Sequence, residues 1–314
     1  MSYPKPFSFD RLETYSLFDR PSKVGVDDLC KPLKPGMSVR DFLASLPNIL
    51  AAGDVMEVAT RWAKAVEGSR PVIFAMGAHV IKVGLTPLLI DLMDRGMVSA
   101  FALNGAGIIH DSELAMAGKT SEDVAAVLGS GKFGAAKETG EFLNSAISFA
   151  AHEGIGLGQA VGKRLLQEDF PYNDYSLLAQ AARRDIPVTV HVAIGTDIIH
   201  IHPQADGAKI GKATHHDFKI FCSLVAGLQD GVYFNIGSAV LLPEVFLKAL
   251  TAVRNLGHAV NRFTTVNLDF IRHYRPLTNV VNRPTLEGGK GFSLTGHHEI
   301  MLPLLAAAAM EQLN

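Results

Sequence analysis

The chain has 314 residues, of which 48% are hydrophobic, enough to bury a full core in one large domain or two small ones. A formal net charge of -2 gives no overall electrostatic footprint for nucleic acid or an anionic membrane surface, so the expected ligand is a small molecule. Two cysteines, Cys30 and Cys222, stand far apart with no CxxC spacing, which excludes a disulfide scaffold and a thiolate zinc site. The opening segment MSYPKPFSFDRLETY has no basic stretch followed by an apolar core, and no run of about 18 apolar residues follows. The expectation is a cytoplasmic protein with no membrane partner.

Residues 1–36 are rich in proline and charge and read as a wrapping arm. A helix capped by Ser38 follows, and DVMEVATRWAKAVEGS (54–69) has apolar residues at helical spacing. From Pro71 the pattern alternates. PVIFAMGA (71–78) and SAFALNGAG (99–107) read as strands around a helix at 83–96. Helices are expected at 141–151, 156–167 and 175–185, and a strand at 186–194. Next come a helix at 217–228, a strand at 231–237, a helix at 243–256 and a strand at 262–269. Strands flanked by helices imply an α/β fold with a doubly wound, mostly parallel Rossmann-like sheet, carrying ligands beyond the carboxyl ends of its strands. Two segments are expected: an N-terminal arm with helices (1–69) and one catalytic unit (70–314).

Several glycine turns follow predicted strands. NGAG (104–107) allows close backbone approach to a phosphate or nicotinamide, although any tight turn uses glycine in the same way. GIGLG (154–158) lacks a preceding strand and an acidic partner about twenty residues on, and reads as close helix packing. Histidines gather at strand ends: His110, His191, His200, His202, His215, His216, His297 and His298. If 198–202 is extended, His200 and His202 share one face, and His215 or His216 from a nearby turn completes a divalent-metal site that activates water. Otherwise these rings bond backbone carbonyls around a polar cleft.

The blocks GAHVIKVGL and LMDRGMVSAFALNGAGIIHD, IPVTVHVAIGTD, GVYFNIGSAV and the tail NRPTLEGGKGFSLTGHHEIMLPLLAAA together resemble deoxyhypusine synthase over roughly residues 70–310. That resemblance implies a homotetramer built as a dimer of dimers, with NAD and polyamine bound at sites shared between subunits. It implies NAD-dependent aminobutyl transfer from spermidine through a lysine imine. By position it assigns NAD contacts to Asn104, Gly105, Ala106, Gly107, Asp111, Gly237 and Ser238, and the imine to Lys290. Asp197, His200 and Asp206 fall in the loop that would receive an amine substrate. This sequence departs from the family at the residues that meet the polyamine. A metal-dependent hydrolase, or a non-catalytic binding protein on the same scaffold, is the alternative.

Overall fold

The computed structural model describes residues 3–313, so residues 1, 2 and 314 of the two expected segments lie outside it. In chain order the helices are α1 (Val39–Ser45), α2 (Leu50–Glu67), α3 (His79–Lys82), α4 (Thr86–Asp94), α5 (Gly105–Ala117), α6 (Val124–Val127) and α7 (Lys137–Glu153). They continue with α8 (Leu157–Glu168), α9 (Leu177–Arg183), α10 (Gly207–Ala226), α11 (Leu241–Asn255), α12 (Tyr274–Pro276) and α13 (His298–Met310). The strands are β1 (Val72–Met76), β2 (Ala100–Asn104), β3 (Val188–His191), β4 (Val232–Ile236), β5 (Thr264–Asp269) and β6 (Lys290–Thr295). All six pair in parallel in the order β3-β2-β1-β4-β5-β6. This is the expected doubly wound α/β sheet, and its winding reverses between β1 and β4.

Strands β1 to β5 are buried on both faces, which is why they read as continuous apolar runs. Side chains alternate between two cores. Phe74, Phe101 and Phe234 join the larger core with Trp62 of α2, while Ile73, Ala102 and Tyr233 join the smaller one under α10 and α11. Trp62 is fully buried, and its indole N–H donates to the Met97 carbonyl at 2.8 Å, so its one polar atom is satisfied. Phe246 of α11 stacks on Tyr233 with centroids 3.8 Å apart. Through Val55, Val58, Ala59 and Trp62, α2 belongs to the main core, whereas Tyr3, Phe7, Phe9 and Phe18 of the arm are exposed.

Two of the differences from expectation have identifiable reasons. α10 begins ten residues earlier than its apolar spacing indicates, because Asp206 caps it by accepting from Ala208 N and Lys209 N. β6 is a sixth strand hidden in GKGFSLT, where flanking glycines and a solvent-facing edge mask the pattern. The other edge strand, β3, is blunted by α10. Asp217 accepts from Val190 N at 2.8 Å, and Thr214 both accepts from Val192 N and donates to the Val190 carbonyl.

Candidate functional site

At the carboxyl end of the sheet the ladder runs one residue past the strands: Gly77 N donates to Ile236 O at 2.9 Å and Gly237 N to Leu268 O at 3.0 Å. A side chain on Gly77 would run into the Gly237 carbonyl. Gly237 itself has φ +66° and faces His298, whose Cε1 would lie 2.7 Å from an added Cβ. The switch point is thus bare backbone closed by an imidazole. His298 opens α13 and is fully buried, with Nε2 3.2 Å from the Leu268 carbonyl. Nε2 therefore carries the proton, and Nδ1 is left as a buried acceptor with no partner. Burial lowers its pKa and keeps the ring neutral. His79, the first residue of α3, meets His298 edge-on at 5.6 Å, and Phe270 packs against both.

Beside this point, past the ends of β2 and β3, lies a cavity of about 410 Å³ whose walls include Lys82, Ala106, His110, Glu113, Glu122 and Asp197. α3 links the two places, with His79 at its start and Lys82 at its end. Gly105 is a glycine because the Asp197 carboxylate occupies the space of a Cβ, against the amino end of α5. The Asp197 Oδ2 is buried without a partner, and burial raises the pKa of the group. The neighbouring His200 accepts at Nδ1 from Gly195 N (3.1 Å) and Asp197 N (3.3 Å), so its proton lies on Nε2, which is also buried and unpartnered.

A short relay orders the cavity's other histidine. Thr120 donates to Glu113 at 2.5 Å, and its oxygen lies 2.7 Å from His110 Nδ1. With the hydroxyl proton committed to Glu113, Nδ1 must donate, which makes Nε2 the acceptor of the ring. Thr139 fixes the second Glu113 oxygen at 3.1 Å. Burial lowers the His110 pKa, with Glu113 opposing and Lys82 adding to the shift, so the ring is a neutral base near pH 7.

The structure redistributes the residues singled out from sequence. Ala106 lines the cavity and Gly237 forms the switch point, but Asn104 caps α5 by accepting from Gly107 N at 3.1 Å. Gly107 packs on Leu103. Ser238 accepts from Leu242 N at the start of α11, and its carbonyl accepts from Asn235. Asp111 faces away from the site: it is fully buried and accepts from Ser176 Oγ, Leu177 N and Leu178 N, holding the amino end of α9. Asp206 is the cap of α10 rather than a receptor for an ammonium group.

Lys290 begins β6, at the amino end of the sheet, and six residues of strand place it roughly 17 Å from the carboxyl edge. Its Nζ lies 2.7 and 2.6 Å from the two oxygens of Glu57. It is a surface ion pair, and the imine role expected of it does not fit. The metal arrangement also fails, because residues 198–201 form a 3₁₀ turn rather than an extended strand. His202 bonds the Gly134 carbonyl at 3.0 Å. His215 and His216 lie within α10, roughly 13 Å along the helix from its start. Among the described residues no group of three or more His, Cys, Asp or Glu side chains is arranged to hold a metal. GIGLG, as expected, is a packing element: Gly158 lies against the Val188 carbonyl, and Asp217 accepts from Gly158 N at 3.0 Å.

His79, Phe270 and the His110–Thr120–Glu113 relay were not legible as a group, since they come from separate elements. The signal available was the polar residues His110 and Glu113 on the apolar helix after NGAG.

No family model matches the chain, and no curated protein matches it in sequence. Solved structures do. A conserved LOR/SDH-type protein from Methanococcus maripaludis S2 superposes with TM-score 0.52 at 16% identity, over 84% of this chain and 70% of that one. The likeness is one of fold. AgrE, solved as a ternary complex with ornithine and NAD+, matches with TM-score 0.52 at 16% identity over 82% of this chain, and this chain spans 33% of it. A deoxyhypusine synthase-like protein from Entamoeba histolytica matches over 88% of this chain at 11% identity, but a TM-score of 0.48 carries no argument. No helix among the described residues is long and apolar enough to cross a membrane.

Proposed function

We propose that the chain is an NAD-dependent enzyme of the deoxyhypusine synthase type, which takes a small amine into the cavity between α5 and the β3 loop and transfers its aminobutyl group. The observation that carries the reading is the pairing of two features on one edge of the sheet. One is a side-chain-free switch point with an orphaned acceptor on His298. The other is a buried carboxylate, Asp197, lining the same cavity as a neutral histidine base, His110.

The switch point fits a dinucleotide. Gly77 and Gly237 keep side chains out of the turn, and His298 Nδ1 is a buried, unpartnered acceptor that a ribose hydroxyl would meet once the ring is uncovered. When bound, NAD supplies a hydride acceptor. The chain's own residues handle charge and protons. Asp197 and Glu113 draw an ammonium into the cavity, and His110 Nε2 takes its proton, since carbon–nitrogen oxidation requires the neutral amine. Glu113, acting through Thr120, holds the ring in the tautomer that can accept. Phe133 and Ile198 narrow access for water. Lys82 is the lysine that this cavity presents for imine capture, in place of Lys290: its amine would add to the oxidised carbon and release the rest of the donor as a free amine, and an acceptor amine would then displace Lys82 and take the group.

Self-assembly belongs to the same proposal. Ile194, Ile201, Val240 and Ile271, which follow strand ends, and Ile300 in the first turn of α13 are exposed apolar side chains, and the arm exposes Phe7, Phe9 and Phe18. Light scattering on the purified chain tests for a tetramer. The activity test is NAD reduction with spermidine as donor, followed by borohydride trapping. An adduct mapped to Lys82, lost in Lys82→Arg, supports the reading, and NAD reduction unaffected by Asp197→Asn contradicts it.

A further inference from the structure

At the opposite end of the sheet, where the amino ends of β4, β5 and β6 meet the end of α2, a cavity of about 470 Å³ opens. Five cations line it, Arg61, Lys64, Arg70, Arg262 and Lys290, against one carboxylate, Asp230. They come from α2, the turn after it, the turn before β5, and the first residue of β6, so the fold and not a basic run in the sequence brings them together. Glu57, behind the wall, is bridged by Arg61 at 2.8 Å and Lys290 at 2.6 Å. Asp230 is held by both arms of Arg262 at 3.1 and 3.2 Å. Both carboxylates are therefore already engaged. Among the described residues, Lys64 and Arg70 make no salt bridge. Lys290 and Arg61 also lie over the Phe292 ring, at 5.1 and 5.8 Å from its centroid.

Like charges gathered in one concavity repel unless an anion enters. Here five cations meet two carboxylates in a chain whose formal net charge is -2. We propose that this cavity is a second binding site, separate from the carboxyl edge, for an anion made of linked phosphates: inorganic pyrophosphate or the phosphates of a nucleotide. A carboxylate would neutralise one charge. Two linked phosphates carry about three at neutral pH, match the surplus, and offer oxygens in pairs to the planar guanidinium forks.

The test is calorimetry on the full chain with pyrophosphate, sulfate and ADP at constant ionic strength, beside the double variant Lys64→Ser, Arg70→Ser. Both residues are exposed and unpaired, so the variant is expected to fold. The expected result is one pyrophosphate per chain, with affinity reduced about tenfold or more in the double variant and sulfate binding weaker than pyrophosphate. ADP binding more tightly than pyrophosphate identifies a nucleotide as the source, and weaker ADP identifies the free anion. Absent heat, equal affinity in the double variant, or sulfate matching pyrophosphate (an adventitious ion only) overturns the proposal. Loss of NAD binding in the double variant also overturns it, because the dinucleotide's own phosphates would then occupy this cavity.

Discussion

The two ends of the sheet handle charge in opposite ways. At the amino end, Glu57 and Asp230 are paired with Lys290, Arg61 and Arg262 in partly exposed bridges, the kind worth little to stability. At the carboxyl end, Asp197 Oδ2, His200 Nε2 and His298 Nδ1 are buried and partnerless. Leaving such atoms unmet costs about 1–3 kcal/mol each, so a ligand that meets them repays the cost. Burial alone does not mark function, as two further aspartates show. Asp111 and Asp217 are as deep as Asp197, yet both oxygens of Asp111 accept at the amino end of α9, and Asp217 Oδ2 accepts from Gly158 N and Val190 N, even though Asp217 Oδ1, like Asp197 Oδ2, has no partner. Burial pushes their pKa values up to about 6 and about 7 in spite of those bonds.

The sharpest way to break this contrast is to remove a carboxylate of the structural kind. Asp217→Ala strips the acceptor from Gly158 N and Val190 N and unlocks the edge of β3, with an expected loss of about 3–5 kcal/mol in denaturant unfolding. Asp197→Asn, by contrast, is expected to leave stability nearly unchanged while removing amine binding. Similar losses of stability at both positions would dissolve the distinction.

A pH titration of stability comes next in size. His191 is buried against Phe221, and burial lowers its pKa to about 4 from 6.5. A depressed histidine pKa means that the unfolded chain binds the proton first. Its contribution is therefore intact above pH 6.5 and is lost as pH falls from 6.5 to 4, by about 3 kcal/mol in all. The stability difference between wild type and His191→Phe should change across that window and be flat above it.

Gly105→Ala addresses the cavity alone. The new methyl group displaces the Asp197 carboxylate, and amine affinity measured by calorimetry should fall by about tenfold or more with the fold retained. The smallest effect belongs to Lys290→Met, which breaks the exposed pair with Glu57 and should cost under about 1 kcal/mol in thermal unfolding, with activity retained.

The sheet was legible in the sequence because burial on both faces leaves apolar runs of strand length between helices of amphipathic period. Five strands and the α/β class follow from that. β6 escaped because an edge strand is half exposed, and its lysine beside glycines invites a chemical reading. The histidine-rich segment misled for a related reason. Period-two reasoning assumed an extended chain at 198–202, whereas the 3₁₀ turn there, followed by the Asp206 cap, separates the rings. Asp197 and His200 could be named from their loop, but their value lies in unpartnered atoms, which only packing reveals. NGAG marks a close approach, but the expected phosphate or nicotinamide is not what it meets. The partner at Gly105 is the protein's own carboxylate.

The most direct test of a dinucleotide site at the switch point is calorimetric titration of NAD into the wild type, Gly237→Ala and Lys290→Met, with circular dichroism to verify folding. Binding in the wild type, lost in Gly237→Ala and retained in Lys290→Met, is the predicted result. No NAD binding by the folded wild type, or binding that survives Gly237→Ala and disappears in Lys290→Met, would contradict it.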